Sequence, residues 1–227
     1  MEIRFSSWIS EAFWVFQKDI KSELRTRYGL NALVMFAVIT LTAVSFAVGQ
    51  FFSGSKILSS LFWIIVFFSA MSGLAQVFIK EEETRTVNLL KLVASNESIF
   101  LGKLFFNLIL LFILEIIIIP LFLILLNVQI NNFSFFLCVV ILGTVGLVCA
   151  TTIIAAIVSK ARVKGALFAV LSFPILLPLL ITVIQGTNLA FDGSEFSQGL
   201  DELKFLISYC VVMGVGSFLL FDFVWQE

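Results

Sequence analysis

The sequence predicts an all-α polytopic membrane protein with six transmembrane helices, an amphipathic N-terminal helix and a short polar-faced helix between the second and third spans. Three observations predict it. Several runs of roughly 20 apolar residues are long enough to cross a bilayer as helices. None of them alternates residue by residue, as a barrel strand would. The composition, 60% hydrophobic against 13% charged with a mean hydropathy of +1.12, leaves the soluble class. At 227 residues the chain reads as a single membrane domain.

Residues 1–29 come first. Phe5, Ile9, Phe13, Phe16, Ile20 and Leu24 recur three and four apart, while Arg4, Ser7, Glu11, Lys18, Lys21 and Arg25 fall on other faces. This pattern suits an interfacial helix rich in aromatic residues. A helix docked on the protein's own span ends is the alternative, and the two are compatible. A charged, amphipathic start of this kind is not a cleavable signal peptide.

The spans are expected at 30–52, 57–79, 104–126, 133–158, 166–185 and 205–224. A Ser-Gly-Ser-Lys turn at 53–56 joins the first two, and a tight polar loop at 127–132 joins the third to the fourth. An acidic loop at 186–204, with Asp192, Glu195, Asp201 and Glu202, precedes the last. Twelve of the fourteen Lys and Arg residues lie in the N-terminal segment, the 80–103 segment and the 159–165 loop. By the positive-inside rule those three segments and both termini face the cytoplasm, and the acidic loop faces outward. No internal repeat is evident.

The stretch from Lys80 to Lys103 is the longest internal polar interruption. Glu81, Glu82 and Glu83 suit the start of a helix, where the dipole favours negative charge. Val87, Leu90 and Val93 or Ala94 then recur at helical spacing, with Asn88 and Lys91 pointing elsewhere. Ser95-Asn96 ends the pattern and suits the cap of the next helix. The expected element is a docking helix over about 82–94 for a soluble partner; a plain solvated loop is the alternative.

Within the spans, Glu115 lies near the middle of span three, with Pro120 just over a turn later. A charge there costs about 2.5–3.5 kcal/mol, so Glu115 is expected to face the bundle, be protonated or bond a nearby Ser, Thr or Asn. A pathway or relay role is the sharper reading. Pro174 and Pro178 each remove a backbone donor in span five. The freed carbonyls need other partners in a bilayer, so a kink is expected, either mobile or static. Gly143, Gly146 and Ala150, and likewise Gly214 and Ser217, form small-residue stripes that let helices approach. Internal packing is the first reading of these stripes, and a homodimer contact the second. Asp222 reads as a solvated acid at the end of span six. Cys138, Cys149 and Cys210 all sit in apolar runs and read as packing residues.

What is missing narrows the function. There is no histidine, which removes the commonest metal and haem ligand and every His-dependent nucleophile. No G-x-x-x-x-G-K-[ST] occurs, so any ATP hydrolysis belongs to another subunit. The chain is therefore expected to be a non-catalytic subunit, and a net charge of −1 gives no reason to invoke nucleic acid.

Acidic residues with an arginine, then a Leu-Leu stretch between spans two and three, resemble the coupling segment of ABC-2-type exporter permeases. The finer similarity is to the haem exporter B family, CcmB, of cytochrome c maturation, whose segment resembles E-E-x-R-x-x-x-L-x-x-L followed by Ser-Pro and Gly-Lys. Glu82, Glu83, Arg85, Leu89 and Leu92 fall at roughly comparable places, and Gly102-Lys103 leads into span three. Asn96 stands where a proline is common, and Asn88 where an acid is common. Lys160, Arg162 and Lys164 leading to Pro174 and Pro178 resemble the family's basic loop and Pro-x-x-x-Pro pair. The resemblance implies a permease subunit that couples ATP hydrolysis by a CcmA-like ATPase to export of haem or release of a haem-loaded chaperone. It implies a CcmC-like haem-handling partner and a small CcmD-like helper, ATP on the partner, and no cofactor bound by this chain. The alternatives are an ABC-2 permease for a lipid or polysaccharide, and a non-transporting membrane scaffold.

Overall fold

The computed structural model describes residues 2–48, 54–161 and 164–226, with the side chains of 2–7, 28, 32, 164–166 and 226 left out. Phe52, Ser53, Arg162 and the side chains of Arg4, Phe5, Ser7 and Lys164 therefore lie outside the described residues. The helices run in the order α1 (Glu2–Thr26), α2 (Tyr28–Val48), α3 (Ser55–Gly73), α4 (Gln76–Glu83), α5 (Val87–Val93), α6 (Asn96–Leu125), α7 (Phe133–Ser159), α8 (Lys164–Asp192) and α9 (Leu200–Gln226). No strand occurs among the described residues. Six stretches are long and apolar enough to cross a membrane: 29–48, 55–83, 96–125, 133–159, 167–192 and 196–225.

Helix α7 forms the centre, with 19 of its 27 residues buried. Its glycines make this possible. A Cβ at Gly143 would stand 2.4 Å from the Trp63 ring, and one at Gly146 would stand 3.0 Å from Leu179. The small-residue stripe thus packs inside the molecule, against α3 and α8. Ser217 on α9 donates to the Cys149 carbonyl of α7 at 3.2 Å, so the second stripe also packs inward. The three cysteines are free.

Helix α1 docks on the bundle through one face and leaves an apolar face exposed. Ala12, Val15 and Asp19 are buried, whereas Ile9, Phe13, Trp14 and Leu24 are exposed. The small and polar face lies on α6. A Cβ at Gly102 would come within 2.7 Å of the Ala12 carbonyl oxygen, so only glycine allows this crossing. The apolar stripe points away, as an interface helix requires.

Two boundaries differ from expectation. Span two does not end at Ile79: after Gly73 the chain passes through Leu74 and Ala75, both still right-handed, into α4. The loop expected at 186–204 is mostly helix, because α8 continues to Asp192 and α9 begins at Leu200. Some of the polar residues there find partners in the helices. Thr187 accepts from the Trp63 indole at 2.8 Å, and Asn188 donates to Asp192 at 3.2 Å. Asp201 and Glu202 fill the first turn of α9, where the dipole favours them.

The basic segments meet at one end of the bundle. Asn96 donates to Asp222 at 2.7 Å, Lys91 lies 5.5 Å from the Trp225 ring centre, and Lys160 donates to the Val224 carbonyl at 2.9 Å. Asp222 is thus bonded rather than merely solvated, and by the asparagine that stands where a proline is common. Beneath these contacts Phe78, Phe100, Phe221 and Trp225 form an aromatic cluster. At the opposite end Asn131 and Asn132 clasp the Phe191 and Ser194 carbonyls.

Candidate functional site

The triplet Glu81-Glu82-Glu83 does not start the docking helix. It ends α4, the last turns of span two. The apolar run Val77-Phe78-Ile79 continues the helix into the triplet, and the chain then turns at Thr84-Arg85. Arg85 adopts a left-handed φ of 57°, and the Thr86 N–H returns to the Glu81 carbonyl at 3.0 Å. That is a Schellman stop with arginine in the place usually given to glycine. The helix expected over 82–94 is the seven-residue α5.

Carboxylates at a helix C-terminus oppose the dipole, so Glu81 needs cations. It has them. Glu81 is 7% exposed and accepts from Lys103 at 3.1 Å, from Lys18 and from the Thr86 hydroxyl. Lys103 is fully buried at the start of span three. It donates to Asp19 at 3.2 Å and to the Val77 carbonyl at 2.9 Å, and it lies 5.3 Å from the Phe78 ring centre. Lys18 also meets Asp19 at 3.2 Å. Two cations and two anions therefore join α1, α4 and α6 in one neutral knot. Burial alone would lower the pKa of Lys18, but Asp19 and Glu81 outweigh it and raise the pKa above its usual value.

A second clasp lies about two helical turns away along α1 and α6. The Glu11 carboxylate accepts from the Ser95 N–H at 3.0 Å, which holds its pKa below the ordinary value of 4.5. Ser95 caps α6 as expected, its hydroxyl accepting from the Ser98 N–H, and the Ser98 hydroxyl donates to the Trp8 carbonyl at 3.1 Å.

Helix α5 hangs from these anchors. Leu90 is buried and joins the aromatic cluster, while Leu89, Leu92 and Val93 are 63%, 82% and 78% exposed. Val93 or Ala94 was expected on the inner stripe with Val87 and Leu90; Ala94 and Val87 pack against the cluster, and Val93 faces out. Glu82, Glu83 and Arg85 are exposed beside them. The structure thus splits the predicted coupling residues. Glu81 and Leu90 are buried inside, and Glu82, Glu83, Arg85, Leu89 and Val93 are presented outward.

Glu115 faces the bundle, as expected, and accepts from the Thr144 hydroxyl of α7. Its Oε2 is buried without a partner among the described residues. Pro120, Pro174 and Pro178 are exposed on the outer surface. Helix α8 runs through both of its prolines, and Tyr209 donates to the Ile175 carbonyl between them at 3.0 Å.

Sequence reasoning missed Lys18, Asp19 and Glu11 as site residues and gave Lys103 no partner. A charged residue following Gly102 at the head of an apolar helix was the one visible signal. Among the described residues no cluster of three or more metal-ligating side chains occurs.

Residues 10–223 match the model of the family described as CcmB protein. The chain belongs to the CcmB family. Its members are permease components of the ABC transporter of cytochrome c maturation, which implies an ATPase partner. No curated protein matches the sequence. The match covers nearly the whole chain, and with the six long apolar helices it gives a multi-pass membrane protein of that family.

Proposed function

We propose that this chain is the non-catalytic permease that receives the ATPase stroke through α5. The observation that carries this reading is the seven-residue helix with Leu89, Leu92 and Val93 exposed outward and Leu90 locked inward. Ends of spans two and three flank it, and both are tied to α1 by the buried charges. A soluble CcmA-like subunit gripping the exposed leucines would move α4, α6 and α1 together. The face is cytoplasmic by the charge asymmetry, as are both termini, in a bacterial inner membrane.

Haem is the cargo of the complex, exported or released on a chaperone, with ATP on the partner. The chain has no histidine, the commonest haem ligand, and axial ligation is assigned to a CcmC-like partner, with a CcmD-like helper. Glu115 is the candidate pathway or relay residue, with Pro120 just over a turn beyond it, and Pro174 and Pro178 are the candidates for a mobile kink. A second copy of the chain is a further candidate partner.

The test is combined replacement of Glu82, Glu83 and Arg85 by alanine. These side chains are exposed and make no ion pair among the described residues, so insertion should be normal. ATPase co-purification and c-type cytochromes should both fall. Normal values of both would overturn the coupling reading.

A further inference from the structure

We propose that the cavity enclosed by α1, α2, α4, α5 and α6 binds one anionic phospholipid of the surrounding bilayer. The cavity holds about 500 Å³, within the range of small-ligand sites. Its inner wall is apolar and includes Leu33, Phe106 and Leu110. Leu110 lies seven residues beyond Lys103 along α6, so the wall reaches about 10 Å past that lysine into span three. A soluble partner gripping Leu89 and Val93 from outside would cover the cavity mouth and not reach this depth. An acyl chain, already at that depth in the bilayer, would.

The rim supplies the headgroup chemistry. Lys18, Ser22 and Lys80 line it, together with Asp19, Glu23 and Glu81. The acids are engaged: Asp19 and Glu81 by Lys103 and Lys18, and Glu23 by the Leu30 N–H at 2.7 Å. Lys80 is not. Its ammonium meets the Ser22 hydroxyl at 3.1 Å, and no ion pair among the described residues includes it. The lining as a whole carries two lysines against three acids, so the headgroup contact rests on the one ammonium without an ion pair, Lys80, beside the Ser22 hydroxyl; above an apolar wall these two groups fit a phosphate ester carrying acyl chains. The inference stands whether or not α5 docks an ATPase.

Two measurements test it on the full chain. A photoreactive amino acid in place of Leu110, irradiated in native membranes, should give an adduct with the mass of one phospholipid. An adduct to a protein or a porphyrin, or no adduct, would overturn the proposal. The second measurement is native mass spectrometry after reconstitution in phosphatidylcholine with a minor share of phosphatidylglycerol. Lys80→Ala should retain about five-fold less phosphatidylglycerol than the unaltered chain, the worth of one basic residue near a membrane surface. Lys21→Ala, on α1 but away from the cavity, should retain as much as the unaltered chain. Equal retention in Lys80→Ala, or displacement of the lipid by inorganic phosphate alone, would overturn it.

Discussion

Lys103 is a fully buried ammonium with two carboxylates, one carbonyl and one aromatic face around it. Removing one member of such a group leaves the others buried and uncompensated, at a cost of about 3–5 kcal/mol. Lys103→Met should therefore lower the thermal unfolding midpoint in detergent sharply. Adding Asp19→Asn and Glu81→Gln should recover most of the loss, because the neutral set leaves only Lys18, which is half exposed. No recovery in the triple variant would show that the charges do not act as one group. Glu11 gives a pH-dependent test of the neighbouring clasp. Its folded pKa is depressed, so its contribution is complete above the ordinary value of 4.5 and is lost as pH falls through the lower folded value. Protease access to α1 should rise on acidification below that range. Glu11→Gln should show high access at neutral pH with a weaker pH dependence.

At the scale of elements, the unusual feature is a helix that ends in three glutamates. Local preference would place them at a start, which is why the sequence suggests that α5 begins with them. Tertiary pairing reverses the preference for Glu81 across 22 residues to Lys103 and 63 to Lys18. No periodicity within a window reveals such partners. The six spans are legible because each is a long apolar run, and the Ser95 cap because capping is local. The ends at 73–83 and 186–204 are not legible, since some of the polar residues there bond to distant helices or along the same helix. Helix α8 poses the opposite case, running unbroken through Pro174 and Pro178. Alanine at both positions restores two backbone donors, each proline having weakened the helix by about 3 kcal/mol. The double variant should accumulate normally yet lower c-type cytochromes, since a stiffer α8 resists bending. Full cytochrome levels would mean that the prolines are static.

At the scale of the whole molecule, α5 has two faces that a partner and the bundle read separately. Leu92 is 82% exposed, whereas Leu90 is 8% exposed and lies in the cluster that includes Phe78, Phe100, Phe221 and Trp225. That cluster joins α4, α6 and α9, and its other members include Ile153 and Ala156 of α7. A push on α5 therefore has a packed route into the central helix, and close-packed interiors transmit displacement rather than absorb it. Docking and transmission should then separate by substitution. Leu92→Ser removes outer contact area and leaves the core whole, so ATPase co-purification should drop while the chain's own unfolding midpoint stays put. Leu90→Ala opens a void beneath α5, at a cost of about 2–5 kcal/mol. With the outer leucines intact, the ATPase should still co-purify, but its stroke should no longer reach α7 and c-type cytochromes should fall. If both variants lose the ATPase equally, α5 acts as a single docking knob and the stroke enters the bundle through the charges around Lys103.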